Sequence, residues 1–181
     1  MLMQLVGEVP WPSDWKGVRL CAYVLGSSSS KVVSLLRCIY SVGREWGPKQ
    51  PIYILQVDVK STFDCVGWFV LRAALVAKGV HPVVIAAILE MCCPLTVHPD
   101  FADLPFARAV QFCTAIPQGG AEGPRLWNLV WAFLTAPLTP LWAKEGWAVN
   151  IAGFVLSHVF FADNVFLISS NKARLQVMVD H

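Results

Sequence analysis

The sequence predicts an α+β domain, an antiparallel sheet covered by helices on one face. Three observations predict it. The segments run helix, strand, two helices, strand, helix, hairpin. The stretch PIYILQVDV, Pro51 to Val59, is short, β-branched and nearly all apolar, as a buried strand should be. Strand-like residues on both sides of Asp163-Asn164, a turn signal, read as a hairpin with an acid at its tip.

Taken in order, residues 1–25 carry no regular pattern, and Pro10, Trp11 and Pro12 suggest an irregular lead-in. Gly26 and the run Ser27 to Ser30 mark a turn and a helix cap. From Lys31, the apolar positions Val32, Leu35, Leu36, Ile39, Val42 and Trp46 fall three or four apart, one face of a helix that stops at Gly47-Pro48. After the strand ending near Asp58 come two helical stretches, Trp68 to Ala77 and Pro82 to Met91, separated by Lys78-Gly79. Phe106 to Ala115 reads as a strand, and Pro117 to Gly123 as a glycine-rich loop. Arg125 to about Ala143 reads as a helix bent or ended by Pro137. Trp147 to Phe161 is strand-like with a break near Ala152-Gly153 or Ser157-His158, Val165 to Ser169 is a strand, and Asn171 to His181 begins a helix. No internal repeat or block of like charge occurs.

Composition narrows the class. A chain of 181 residues fits one domain, or one domain plus part of another. Charged residues make up only 14% of it, against about 25% in typical soluble domains. So little charge hardly covers a whole surface, which implies apolar surface meant for another domain, or a piece of something larger. The net charge of +2 lacks the basic excess of a free-standing nucleic-acid binder, without excluding nucleic acid where other domains grip the phosphates. Of the 6 Cys, adjacent Cys92 and Cys93 suit neither an ordinary disulfide nor zinc spacing. A metal set from Cys92, His98 and Cys113 is conceivable, but buried reduced thiols are the simpler reading. The N-terminus MLMQLVGEVPWPSDW has no basic n-region or long apolar core, so no signal peptide is expected, and the location expected is intracellular, in cytoplasm or nucleus. Leu126 to Ala143 is uncharged, but a spanning helix needs about 20 mostly apolar residues. Pro137 and Pro140 would disrupt its second half, so a buried helix is expected rather than a membrane span.

Two acids stand out. A lone carboxylate closing a greasy strand, as Asp58 does, is costly unless something pairs with it. If its strand neighbours the hairpin, Asp58 and Asp163 converge at the sheet edge, where two carboxylates repel unless a cation lies between them. Magnesium suits such a site, because it takes oxygen ligands from one or two carboxylates plus substrate phosphates. The alternative is two unrelated acids at strand ends, a common occurrence.

The segment Val57-Asp58-Val59-Lys60-Ser61-Thr62-Phe63-Asp64 resembles the first catalytic block of reverse transcriptases of the non-LTR retrotransposon and group II intron type: Asp at a strand end, an aromatic five residues later, then a second Asp. Ile116-Pro117-Gln118-Gly119-Gly120, followed by Pro124-Arg125-Leu126-Trp127-Asn128, is similar to the next block, a Gln-Gly loop leading into a helix with an Asn. Phe161-Ala162-Asp163-Asn164 resembles the third, aromatic–Ala–Asp–Asp in a β-hairpin. The helix containing Arg44-Glu45-Trp46-Gly47 is similar to the one that precedes the first block. The order and spacing agree over about residues 26–175.

This resemblance implies a polymerase palm, residues 50–181, after a partial fingers-like lead-in, residues 1–49. It implies an RNA-directed DNA polymerase that moves a nucleotide from a dNTP to a DNA primer on an RNA template. Two magnesium ions, or manganese in their place, would serve it. Asp58 and Asp163 would be the catalytic ligands, with the Val59 carbonyl and, weakly, Asn164 as further ones. Phe63 would sit beneath the incoming sugar and exclude a 2′-hydroxyl. Gln118 and Gly119 would approach the nucleotide and template, Asp64 would bond locally, Asn128 would brace the site, and Phe161 would support it.

Departures from the pattern matter as much. Asn164 stands where the family has a second Asp, and adds no negative charge. Gly120-Ala121-Glu122-Gly123 replaces the family's Asp-Pro-Leu-Ser and puts an acid beside the nucleotide path, and Thr62 replaces a small Ala. The later palm blocks and a thumb do not follow the third block, so the chain is expected to be a truncated piece that works, if at all, with the remaining fingers and thumb of a parent. The alternative is a non-catalytic retroelement remnant that binds nucleic acid or protein.

Overall fold

The computed structural model describes residues 28–61, 63–92, 95–97, 110–112, 116 and 120–180. The chain divides into two compact units, one of residues 1–12 and 61–130, the other of residues 13–60 and 131–181. It is mixed helix and sheet, with every described strand pair antiparallel, as the α+β reading expects.

The second unit holds the three-stranded sheet. Helix α1, Ser29–Trp46, starts after Ser28, which occupies the N-cap position without a side-chain capping bond and instead bonds the Ser30 hydroxyl. It ends at Gly47, whose φ of +65° suits glycine and whose N–H reaches Gly43 O. A short 3-10 turn, Gly47–Lys49, leads to β1, Tyr53–Asp58. Past Pro137, α5 (Leu138–Lys144) precedes the hairpin β4–β5, Val149–Ile151 and Phe154–Leu156. Then come β6, His158–Phe161, β7, Asn164–Ser169, and α6, Lys172–Asp180. The strand-like run from Trp147 thus breaks at both Ala152-Gly153 and Ser157, not at one of them.

The sheet order is β1-β7-β6, so β7 is central. Alternation along it splits its side chains between two cores. Val159, Ile168, Phe161 and Phe166 pack with Val32 and Ile39 of α1 and with Val149 and Leu156 of the β4–β5 hairpin. Phe160, Val165 and Leu167 pack with Trp142 of α5 and with Leu175 and Met178 of α6. The expectation of helices on one face is therefore corrected: helices cover both. The reason is visible in β7, where Val165-Phe166-Leu167-Ile168 is apolar at every position and leaves neither face to water.

The first unit carries α2, Trp68–Ala77, and α3, Pro82–Cys92, joined at Lys78-Gly79 as expected. Leu71, Ala74, Leu75, Ile85 and Ile88 are buried, while Trp68, Phe69 and Val83 are more than half exposed. Large apolar side chains are exposed in the second unit too, among them Tyr40, Phe154 and Val155, in keeping with the low charge. Lys78 is buried, and desolvation lowers its pKa from the ordinary lysine value. The strands β2, Leu95–Val97, and β3, Val110–Phe112, pair here; the second falls within the expected 106–115, and the first has no sequence counterpart.

Helix α4, Gly123–Thr135, contains the boundary between the units. The run to Ala143 is two helices, α4 and α5, split at Pro137. Hydroxyls occupy carbonyls near the break: Thr135 Oγ1 donates to Trp131 O at 2.6 Å, and Thr139 Oγ1 to Thr135 O at 3.1 Å. Among the described residues, no helix is long and apolar enough to cross a membrane.

Candidate active site

β1 and β7 bring the backbones of Asp58 and Asp163 to one end of the sheet. These strands pair in the register Tyr53↔Ser169 to Asp58↔Asn164. On the other side of β7, β6 pairs Phe161 with Asn164, leaving Ala162-Asp163 as a two-residue loop. The turn therefore lies one residue before the Asp163-Asn164 signal, and Asn164 already belongs to the strand. Beyond β1, Val59 N donates to Asp163 O at 3.0 Å. That bond makes Asp58 and Asn164 the non-hydrogen-bonded pair next to it, the kind in which facing side chains lie closest.

Asp58 is exposed and Asp163 half-buried, so water and small solutes reach the pair. A chain of side-chain bonds crosses the strand end. Gln56 Nε2 donates to Asn164 Oδ1 at 2.7 Å, and Asn164 Nδ2 donates to Asp163 Oδ1 at 3.0 Å. Ala162 at the tip has φ +56°, a costly conformation for a residue with a Cβ. On the opposite face of β1, Val57 and Val59 border a cavity of about 340 Å³ walled by Trp131, Leu138, Trp142 and Met178.

Phe161 is half-buried against the α1 core and faces Asn164 across the hairpin. Phe63, Asp64 and Asn128 belong to the other unit. There, the Phe63 ring packs on Trp127 with centroids 6.0 Å apart, Asp64 N bonds Ser61 O, and Asn128 is buried in α4. Ser61, in the turn that carries Phe63, has φ +53°. Glu122 is half-buried and lies so close over Gly120 that a Cβ at that glycine would strike its carboxylate. Gln118 and Gly119 lie outside the described residues, as do Thr62, His98 and Cys113.

Among the described residues, no group of three or more His, Cys, Asp or Glu side chains is placed to hold a metal ion. The oxygen donors at the sheet end, Asp58, Asp163 and nearby backbone carbonyls, still fit magnesium chemistry, in which substrate phosphates and waters complete the shell. Sequence reasoning missed Gln56. Its signal was position: two residues before Asp58 in a strand, it shares that residue's face.

No protein-family model matches the sequence, and no curated protein matches it. Its fold does have likenesses among solved structures. An apo telomerase from Candida tropicalis truncated from its C-terminal domain matches with a TM-score of 0.60 and 12% identity, over 99% of this chain and 35% of that one. Apo telomerase from the same organism gives 0.63 and 9%, over 99% and 32%. Telomerase from Candida albicans, in complex with a TWJ fragment of telomeric RNA, gives 0.58 and 12%, over 99% and 31%. The chain shares the fold of the matched part of these telomerase structures and spans about a third of their length.

Proposed function

We propose that this chain is the palm-containing part of an RNA-directed DNA polymerase of the non-LTR retrotransposon or group II intron type. The observation that carries the reading is the β1–β7 register, which brings Asp58 opposite Asn164 and ties Val59 to Asp163 at one sheet end. In this reading Asp58 and Asp163 hold the cations, with the Val59 carbonyl beside them. Magnesium held there would supply the charge to activate a primer 3′-hydroxyl and to stabilise departing pyrophosphate. The chain's own contribution is positioning: a strand end and a cross-linked turn fix the two carboxylates before substrate arrives. Phe63, Gln118 and Gly119 are assigned to the dNTP, residues 1–49 to the fingers side and residues 50–181 to the palm. The template–primer grip belongs to the remaining fingers and thumb of a longer parent, because phosphate contacts dominate such affinity.

A second reading is favoured by Asn164, which removes a charge where the family has an acid. It is a non-catalytic remnant of the same fold that binds nucleic acid. Magnesium titration separates the two. Saturable binding that disappears in Asp58→Ala and Asp163→Ala, with RNA-templated primer extension by a chain extended with a thumb, supports the polymerase. Absence of magnesium binding to the native chain overturns it in favour of the remnant.

A further inference from the structure

Asn164 has two ways to meet the acid pair. Its amide oxygen can face the carboxylates and join them as a cation ligand, or its NH2 can face them as a donor. Geometry at the sheet end selects between these. Asp163 offers only acceptors when ionised, and its Oδ1 lies 3.0 Å from Asn164 Nδ2. Turning the amide over would set an oxygen against the carboxylate, so the NH2 must face Asp163. The oxygen then points along the strand face to position 56, where Gln56 Nε2 meets it at 2.7 Å. Gln56 and Asn164 stand diagonally across the β1–β7 pair, Gln56 facing Phe166 and Asn164 facing Asp58. The chain of bonds therefore has one polarity, Gln56 to Asn164 to Asp163, set from the carboxylate end.

We propose that Gln56 is a positioning residue for the acid pair: by holding the Asn164 oxygen, it keeps the Asn164 NH2 on Asp163 and makes Asn164 a clamp on that carboxylate rather than a ligand to a cation. Asp163 keeps its second oxygen for a cation, and Asp58 keeps both. The clamp itself needs no metal. Its use in holding a cation site rests on the polymerase reading above.

Two measurements on the full chain test this separately. The first uses no metal: 15N-labelled protein, with the side-chain NH2 signals of Asn164 followed from the native chain into Gln56→Leu and Gln56→Glu. Position 56 is exposed, so neither substitution threatens the core. Both should shift the Asn164 NH2 resonances and speed their exchange, Gln56→Glu the more, because its oxygens compete with Asp163 for the same NH2. Unchanged Asn164 signals in both variants overturn the clamp. The second is the magnesium dissociation constant by calorimetry. If Asn164 is a clamp, Gln56→Leu weakens magnesium binding by about threefold to tenfold, the weight of one hydrogen bond. If Asn164 is a ligand, freeing its oxygen tightens binding, and that result overturns the proposal. A native chain that binds no magnesium removes the polymerase reading, while the NH2 signals still decide the clamp.

Discussion

Two hairpins of the same unit solve the same turn problem differently. The β4–β5 hairpin closes on Ala152-Gly153 with φ of +50° and +87°, both positive, as a type I′ turn requires. Asn150 Oδ1 accepts from Gly153 N at 3.0 Å, the tip is exposed, and nothing lies within 4 Å of where a Gly153 Cβ would be. It is a turn made by its own sequence. The β6–β7 hairpin closes on Ala162-Asp163, where only the first residue has a positive φ and no glycine is present. This second tip is held from outside, by the Val59–Asp163 bond and by Gln56 through Asn164. The lesson is that a strained tip persists where the surroundings over-determine it, and such tips are where function gathers.

Substitutions can break or sharpen that contrast. The largest effect is expected at the held tip: Asp163→Ala should weaken magnesium binding by at least about 100-fold in calorimetry, more than loss of an outer-shell partner costs. Asn150→Ala, at the free tip, should leave that binding unchanged. Next comes the strand behind the held tip. Ile168→Ala in central β7, fully buried, should cost about 2–5 kcal/mol in urea unfolding. Phe154→Ala, 68% exposed on β5, should change stability by less than about 0.5 kcal/mol. Below Ile168→Ala comes Gly153→Ala, expected to cost about 1–2 kcal/mol from its positive φ alone, since the space around it is open. Smaller than Gly153→Ala is Asn150→Ala, which removes one exposed hydrogen bond and should cost about 0.5 kcal/mol by the same unfolding curve. If the free tip proved the more sensitive in magnesium binding, the division into a self-made and a held turn would fail.

Much of the fold was legible in the residues because it depends on local rules. The three-to-four spacing from Val32 to Trp46 and the stop at Gly47-Pro48 describe α1 almost residue for residue. Trp68 to Ala77 is α2 at both ends, and Pro137 parts α4 from α5. The coarse fold was legible from three short motifs in order, and the telomerase likenesses agree with it at that level. Partners at long range were not. That β2 joins β3, and that both faces of β7 are covered, depend on which surfaces meet, which no window of sequence contains.

At the acid pair the same division holds. The sequence by itself determined which residues carry charge at the sheet end: Asp58 closing an apolar strand, Asp163 in a turn, and Asn164 without a charge. Only the tertiary structure decided that β1 lies against β7 rather than β6, with Asp58 opposite Asn164. Only it decided that Gln56, an unremarked polar residue, faces the Asn164 amide. The physical reason is range. Charge and turn preference belong to single residues and their neighbours, whereas the direction an amide faces is set by a donor 108 positions away in the chain.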